Sequence, residues 1–458
     1  MIDSLKHAHF EMQPLEARIQ LSGAADLTHS TSALPIHGYR FDVASIGSKV
    51  FFPGDDLIQI YDAAKGTWSD AVPPVSLQLD VVARVGSKVV FGGPLRGTGQ
   101  PTNIVNIYDS VTDIWSTSKL PRKVVLQSSA AFGDEALFFT RTTGDNTYAF
   151  LFNSKRLTWK IISPPPDGLP GQAFTLGDRA YLNSSRFFYD FPRHRWMKTD
   201  LLTYGQNLKG IGTRLVINNG NSTRVIDTVT GQESTAVTHG DNGGGSVTTV
   251  GSKLLIAGSG AGLLQQKNDV VDVYDVSTDA WSTTNLSASR GGIGAATAGT
   301  HAVFGGGVSG VPHPVLYDNV DIYTDAQPAA VLSGAVTGSI GHHDHVTVIN
   351  SGDADLTAGY TVQLYASTDR TLHGAILVGS MAVSSTLTAG TTSLFNIRTR
   401  IPRGAPAGKY HLLAAVKDTA GNITPIAAEE SVFRVGGDKI FQRTSRHQHL
   451  TMIRLARL

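Results

Sequence analysis

All five tryptophans of this chain occupy the same place in a repeated phrase. Each one follows an aromatic residue by seven positions, and that aromatic residue is followed directly by Asp or Asn. The pairs are Tyr61 and Trp68, Tyr108 and Trp115, Phe152 and Trp159, Tyr189 and Trp196, and Tyr274 and Trp281. The phrase recurs at steps of about 37 to 48 residues, with one copy skipped between Tyr189 and Tyr274. Such a period indicates a repeat architecture.

The composition favours many short strands over long helices. Glycine accounts for 49 of 458 residues and charged residues for only 16%, whereas roughly 7% and 25% are typical. Within each unit, two apolar segments flank a glycine-rich break, and the second segment ends at the aromatic residue. Such alternation between turn residues predicts successive antiparallel strands.

The residues between each aromatic residue and its tryptophan predict a tight turn. Asp109 with Thr112, and Asp275 with Thr278, have side chains that can bond the backbone amides of such a turn. We therefore expect each aromatic residue and its tryptophan to lie close together, filling the space between neighbouring sheets.

These units resemble the kelch motif, in which an apolar strand, a Gly-Gly doublet, a Tyr-Asp pair and a tryptophan follow one another. The doublet is clearest in Phe91–Gly93 and Phe304–Gly306. The resemblance implies a seven-bladed β-propeller over residues 36–326, with six or eight blades as alternatives. The last unit lacks its tryptophan and its fourth strand. We expect the N-terminal segment, residues 1–35, to supply that strand from Ala17–Leu21.

A second domain is predicted at residues 327–436, followed by a basic tail at 437–458. The phrase around residues 402–412 is similar to bacterial adhesion-related immunoglobulin-like modules. The residues that carry this similarity are Pro402, Gly404, Gly408, Tyr410 and Leu412. The resemblance implies an immunoglobulin-like β-sandwich, so the whole chain is expected to be all-β.

Three unusually long connections are the candidate ligand-binding elements, at residues 94–103, 259–268 and 308–319. If all three join second to third strands, they lie on one rim of the propeller. The candidate binding residues are Arg96, Gln100, Gln265, Lys267, His313 and Tyr317. Planar polar groups beside an aromatic ring suit a sugar or an extended peptide. The alternative is that these loops are insertions that the fold merely tolerates.

Arg122 and Arg290 each follow a blade tryptophan. In kelch repeats an arginine at this place commonly makes structural hydrogen bonds, and contact with a ligand is the alternative role.

The order of the two domains also resembles the galactose oxidase and glyoxal oxidase family. That family uses a tyrosine crosslinked to cysteine beside copper, and this chain has no cysteine. A copper-radical oxidase is therefore disfavoured, and no cofactor is predicted. The run His342–His345 is the densest set of metal-ligand residues, but only His343 and His345 can share a strand face. We interpret it as a solvated strand, with no metal site. The glycine-rich run at 240–245 is interpreted as a loop between blades.

The sequence thus predicts a non-catalytic binding protein, a monomer that binds a protein or glycan ligand. The second module suggests an exported or cell-surface protein of a bacterium, although the N-terminal residues lack the apolar region of a signal peptide. With a net charge of +1 and no apolar run of roughly 18 residues, neither nucleic-acid binding nor a membrane span is expected. The alternatives are a carbohydrate-active enzyme (mutarotase, lyase or hydrolase) with its site in the axial channel, and an intracellular kelch adaptor.

Overall fold

The computed structural model describes residues 27–35, 43–54, 57–140, 148–167, 171–183, 185–199, 207–218, 222–239, 246–258, 269–309, 315–326, 328–338, 343–402, 404–436, 439–443 and 451–454. All regular elements in these ranges are β-strands, which confirms the all-β prediction.

The N-terminal two-thirds of the chain forms four-stranded antiparallel sheets. Strand β1 (Leu27–Ala33) comes first and belongs to the last of these sheets. The first sheet contains β2 (Ala44–Ile46), β3 (Lys49–Pro53), β4 (Ile58–Asp62) and β5 (Thr67–Ala71), and the second contains β6 (Val81–Val85), β7 (Lys88–Gly92), β8 (Thr102–Asp109) and β9 (Ile114–Val124). The third contains β10 (Leu126–Phe132), β11 (Glu135–Thr140), β12 (Ala149–Asn153) and β13 (Thr158–Ile162), and the fourth contains β14 (Ala173–Leu176), β15 (Arg179–Leu182), β16 (Phe187–Asp190) and β17 (Arg195–Lys198). The fifth contains β18 (Asn207–Ile211), β19 (Arg214–Asn218), β20 (Ser222–Asp227) and β21 (Glu233–Val237), and the sixth contains β22 (Ser246–Val250), β23 (Lys253–Ala257), β24 (Val270–Asp275) and β25 (Ala280–Asn285).

The last sheet of this series takes its fourth strand from the N-terminal part of the chain. It contains β26 (Gly294–Ala298), β27 (His301–Gly305) and β30 (Asn319–Asp325), and a small hairpin of β28 (Val308–Ser309) and β29 (Val315–Leu316) interrupts it. Strand β1 pairs antiparallel with β30, with Leu27 opposite Asp325 and Ala33 opposite Asn319. The outer edge of this sheet is thereby covered. The N-terminal part of the chain thus supplies the strand, as predicted, but from residues 27–33 rather than 17–21. Segment 17–21 lies outside the described residues.

The first strands of these sheets form a closed ring. Each of β2, β6, β10, β14, β18, β22 and β26 contacts the first strand of the next sheet, and β26 contacts β2. Sheets arranged radially with their first strands innermost constitute a β-propeller.

The five aromatic pairs occupy equivalent places in their sheets, as predicted. Each pair joins the third and fourth strands in direct register. Their ring centroids lie 4.5 Å apart for Phe152 and Trp159, and 5.3 Å apart for Tyr108 and Trp115. The tryptophans also reach the preceding sheet, because the indole of Trp159 donates a hydrogen bond to Ser118 Oγ at 2.9 Å. The predicted packing between neighbouring sheets is confirmed.

In the turns between third and fourth strands, the aspartates bond backbone amides as predicted, whereas the described side chains of Thr112 and Thr278 make no hydrogen bond. Asp109 Oδ1 accepts a hydrogen bond from the Val111 amide at 3.0 Å, and Asp275 Oδ1 accepts one from the Ser277 amide at 2.9 Å. Asp113 then adopts a left-handed conformation with φ of 59°. Asp tolerates this conformation better than most residues, which suits it to the end of such a turn.

The C-terminal part forms two further antiparallel sheets around a common core. One contains β31 (Leu332–Thr337), β32 (His343–Asn350) and β35 (Thr392–Arg398); the other contains β33 (Thr361–Ser367), β34 (Ile376–Ala382), β36 (Gly408–Lys417), β37 (Ile423–Gly436), β38 (Lys439–Arg443) and β39 (Thr451–Arg454). Val346, Leu364 and Leu412 belong to the shared apolar cluster. Strands β38 and β39 lie within the segment predicted as a basic tail.

This second unit packs on one end of the ring, where the turns between first and second strands lie. Val331 shares an apolar cluster with Ile211 at the end of β18. Arg193 joins the two units, because its guanidinium contacts Asp190 at 2.7 Å and Glu429 at 3.0 Å. We call this end of the ring the turn end. Connections between second and third strands emerge at the opposite end, which we call the loop end.

Candidate functional site at the loop end

All three long connections join second to third strands. This was the condition for the prediction that the three loops lie on one rim of the propeller. They run from β7 to β8, from β23 to β24 and from β27 to β30. Because alternate strands of a sheet run in opposite directions, all three emerge at the loop end. Gln265, Lys267 and His313 lie outside the described residues, whereas Arg96, Gln100 and Tyr317 lie within them.

The connection from β7 to β8 is pinned at its base. The amide of Gln78, in the segment that enters this sheet, donates to the Pro94 carbonyl at 2.9 Å. The Arg96 amide donates in return to the Ser76 carbonyl at 3.3 Å. Leu77, between these contacts, is 2% exposed and anchors the segment in the core. Arg96 is partly buried and Gln100 is exposed. Both side chains therefore extend from a loop whose base is held in place by these contacts.

The connection from β27 to β30 is pinned in the same way. Gly291, in the segment that enters this sheet, exchanges two backbone hydrogen bonds with Val308, at 2.8 and 2.9 Å. Tyr317 is held by its amide, which donates to the Gly307 carbonyl at 3.0 Å, and its hydroxyl lies 2.8 Å from Ser309 Oγ. The two loops therefore start from equivalent anchors on different sheets.

The loop end also exposes large apolar side chains. On the two connections just described, Leu95 is 37% exposed, Val315 56% and Leu316 37%. Val72 and Val237, at or just beyond the ends of fourth strands, are also exposed at this end. Apolar groups next to Arg96 and Tyr317 give a mixed surface of the kind found at interaction sites.

Buried polar side chains on third strands support this end, and the sequence analysis missed them. Asn106, Asp272 and Asp321 each lie two residues before the repeat tyrosine of their strand, and each is at most 3% exposed. Each bonds the segment that enters its own sheet. Asn106 exchanges hydrogen bonds with Val75, Asp272 accepts from the His239 amide at 2.8 Å, and Asp321 accepts from the Ser287 amide at 2.8 Å. The sequence does contain a signal for these residues, namely a polar residue that recurs two positions before the repeat tyrosine.

Arg290 completes the support of the last sheet. Its side chain is fully buried and its Nη2 donates to Asp321 Oδ2 at 2.6 Å. Its Nε donates to the Gly306 carbonyl at 2.8 Å, at the start of the long connection, and Nη1 donates to the Ala288 carbonyl at 2.9 Å. The expected structural role of Arg290 is confirmed.

Arg122 differs from Arg290, and the expectation of hydrogen bonds like those of Arg290 is wrong for it. Its side chain is exposed, and its guanidinium lies 5.1 Å from the centroid of the Tyr148 ring. The third strand of the sheet that follows Arg122 has Phe150 where the corresponding strand after Arg290 has Asp321. With no buried carboxylate to bond, Arg122 stays at the surface.

His29 connects strand β1 to the buried Asp321 and its partners. Its Nε2 lies 2.7 Å from Asp321 Oδ1, and its ring stacks on Tyr323 with centroids 4.7 Å apart. Burial raises the pKa of Tyr323, whose hydroxyl donates to the Asn285 carbonyl at 2.7 Å. Asp321 thus links strand β1, Arg290 and the entering segment in one buried network.

The histidine run lies elsewhere, at the start of β32. His343 and His345 are exposed on one face, as predicted, and Asp344 is buried on the other, accepting from the Thr399 hydroxyl at 2.5 Å. Within the described ranges, no three His, Asp or Glu side chains come together as they would around a metal ion. The same ranges contain no helix long and apolar enough to cross a membrane.

Comparisons with known proteins give similarity of structure alone. No family model and no curated protein matches the chain. The structure of U3-55K superposes with a TM-score of 0.45 at 12% identity, covering 66% of this chain and 99% of that one. The crystal structure of the RRP9 WD40 repeats gives 0.45 at 12% identity, covering 67% and 99%. The β-propeller domain of Cps50 (Swd1) from Myceliophteria thermophila gives 0.45 at 7% identity, covering 65% and 99%. The fold assignment accordingly rests on the strand pairing and the closed ring described above.

Proposed function

We propose that this protein is a non-catalytic binding protein and that a protein or carbohydrate ligand contacts the loop end of its ring. The observation that carries the proposal is the matched anchoring of two long loops. Both are pinned to the segments that enter their sheets, through Gln78 with Pro94 and through Gly291 with Val308. Loops with fixed bases can present side chains to a ligand with little loss of conformational entropy on binding.

The side chains at this end suit a ligand with both polar and apolar groups. Arg96 and Gln100 offer planar donors, and Tyr317 offers a ring whose hydroxyl is already oriented by Ser309. Leu95, beside Arg96, offers exposed apolar surface. Gln265, Lys267 and His313 are proposed to belong to the same surface.

The architecture that we propose for this role has two modules. The four-stranded sheets would be seven kelch-type blades within residues 36–326, each with its aromatic pair or a degenerate form of it. The two C-terminal sheets would be an immunoglobulin-like sandwich within residues 327–436. Support comes from the cross-strand aromatic pairs and from the phrase at residues 402–412. On that second resemblance we propose an exported or surface-associated bacterial protein that acts as a monomer.

The proposal is tested by presenting the purified protein to glycan and peptide arrays. Every ligand that binds is then recovered and its mass is measured. We expect saturable binding of an unchanged ligand, weakened at least tenfold in Arg96→Ala combined with Tyr317→Ala. The matched control is Arg156→Ala, which removes an exposed arginine at the turn end and leaves binding unaltered.

Two outcomes contradict this function. A ligand recovered with a changed mass indicates catalysis and supports an enzyme with its site in the axial channel. Binding that the double variant leaves unchanged places the ligand away from the loop end.

A further inference from the structure

Positive charge is concentrated on the fourth strands of three consecutive sheets. In the second, third and fourth sheets these strands, β9, β13 and β17, contain six lysines and arginines and no acidic residue. The fourth strands of the other four sheets, β5, β21, β25 and β1, contain no lysine or arginine and two acids, Asp70 and Glu233. The six basic residues are Lys119, Arg122, Lys123, Lys160, Arg195 and Lys198.

These six side chains have no counterions in the part of the chain that the structure describes. All six are exposed, and none of them forms an ion pair with a described residue. Other exposed cations are paired, as Lys155 is with Asp134 at 2.5 Å. Since the whole chain has a net charge of only +1, this surface attracts anionic partners more strongly than the rest of the molecule does.

The three outer strands form one continuous surface, which we call the basic flank. The indole of Trp159 donates to Ser118 Oγ at 2.9 Å, which joins the outer strands of the second and third sheets. The indole of Trp196 donates to the Ser163 carbonyl at 2.8 Å, which joins the third and fourth sheets. A single partner can therefore contact all three strands.

Apolar side chains are exposed among the cations of the basic flank. Ile114 is 60% exposed and Ile161 is 40% exposed. Ile161 lies opposite Phe150, and Ile114 lies on the same face of its sheet as Ile107. Because Phe150 and Ile107 belong to the apolar cluster between the second and third sheets, both isoleucines border the groove between those sheets.

Leu157, directly before β13, adds a third exposed apolar side chain in an unfavourable backbone conformation. It is 51% exposed, and its φ of 54° lies in the left-handed region, where a bulky residue is uncommon. The corresponding positions of five other turns hold residues that tolerate this region better, Gly66, Asp113, His194, Gly231 and Asp279. Backbone strain of this kind concentrates at functional positions.

The mixture of charged and apolar groups favours one kind of partner. The phosphate backbone of a nucleic acid would contact the cations but offers nothing apolar to the isoleucines. Because the sheets radiate from the ring, their outer strands form a convex surface, which a flat lipid layer touches only along a narrow line. A flexible polypeptide can follow this surface and supply both carboxylates and apolar side chains.

We propose that the basic flank binds an acidic polypeptide segment of a partner protein. Its carboxylates contact the exposed lysines and arginines, and its apolar side chains pack on Ile114, Leu157 and Ile161. The flank lies on the outer side of the ring rather than at its loop end, so this inference is independent of the proposed function.

Fluorescence anisotropy of a labelled copolymer of glutamate and leucine, titrated with the full chain, tests the proposal. Polyglutamate is the comparison that lacks apolar groups. We expect the copolymer to bind more tightly than polyglutamate, and its affinity to fall as the salt concentration rises. The triple variant Arg122→Gln, Lys160→Gln and Lys198→Gln should bind the copolymer at least tenfold more weakly.

The matched control removes three exposed cations from the second unit, in Arg398→Gln, Lys409→Gln and Lys417→Gln, and leaves the affinity unchanged. The variant Ile114→Ser with Ile161→Ser should lose the preference for the copolymer over polyglutamate. All the altered side chains are exposed, so the variants are expected to fold, and circular dichroism checks this.

The proposal is overturned if the copolymer does not bind, or if the two triple variants lose affinity equally. Equal affinity of the unmodified protein for the copolymer and for polyglutamate overturns the role of the apolar side chains. Tighter binding of a single-stranded oligonucleotide or of phosphatidylserine vesicles, lost in the Arg122, Lys160 and Lys198 triple variant, also overturns the proposal, because the flank would then serve a nucleic acid or a lipid surface.

Discussion

Replacing Arg290 by methionine should destabilise the ring strongly. The substitution keeps most of the apolar volume but removes a guanidinium that is fully buried and bonded to Asp321 at 2.6 Å. Asp321, itself 0% exposed, would lose its buried cation, although Ser287 and His29 still contact it. Removing one partner of a buried ion pair costs about 3–5 kcal/mol, chiefly because it leaves an uncompensated charge.

Urea denaturation followed by tryptophan fluorescence measures this cost. All five tryptophans lie in the ring and none lies in the second unit, so the signal reports the ring alone. We expect the midpoint to fall while the slope of the transition is preserved. The double variant Arg290→Met with Asp321→Asn should recover part of the loss, because it removes both charges.

Arg122→Met is the matched control, since Arg122 also follows a blade tryptophan but is exposed. Its contact with Tyr148 is a surface cation–π pair, worth about 0.5–1 kcal/mol. A loss below about 1 kcal/mol in Arg290→Met, or equal losses in the two variants, would refute the reasoning that Asp321 is what makes Arg290 structural.

Three further predictions concern one buried group and two half-buried groups. Trp115→Ala should cost about 3 kcal/mol in urea denaturation, the lower end for a large aromatic truncation, because its ring packs on Tyr108 but remains partly exposed; no change would place the ring outside the core. Burial raises the pKa of Asp178 to about 6, so the folded state favours the protonated acid and stability should fall by about 2 kcal/mol as pH rises from 4 to 6. Asp178→Asn should abolish that fall in a pH series of melting temperatures, and an unaltered pH profile would contradict it. Lys209→Met should raise stability at neutral pH by about 1 kcal/mol, because it removes an unpaired, half-buried cation whose pKa is lowered by desolvation; an unchanged or lower melting temperature would contradict this assignment.

The parts of the fold that the sequence predicted are those set by local spacing. Tyr274 and Trp281 pair because the turn after Asp275 brings neighbouring strands into direct register. The seven-residue spacing between the two aromatic residues is enough to predict this pairing, because the pairing depends only on the local turn and not on the rest of the chain. The long connections could likewise be assigned to second and third strands, since the strand order within each sheet follows the sequence.

The parts that the sequence analysis missed depend on contacts between distant segments. Arg122 and Arg290 each follow a blade tryptophan, by seven and nine residues. The residue that decides whether each is buried lies about 30 residues further on, at Phe150 and Asp321. The cations of the basic flank belong to three separate units of the sequence. Their common position on one side of the ring emerges only when the second, third and fourth sheets pack side by side.

Hydrogen–deuterium exchange with and without the strongest ligand from the arrays tests the central claim most directly. If the loop end is the binding surface, the ligand should slow exchange in residues 93–101 and 306–318 and leave the turn end at 84–86 and 390–394 unchanged. Protection confined to the turn end, with both loops unaffected, would contradict the account.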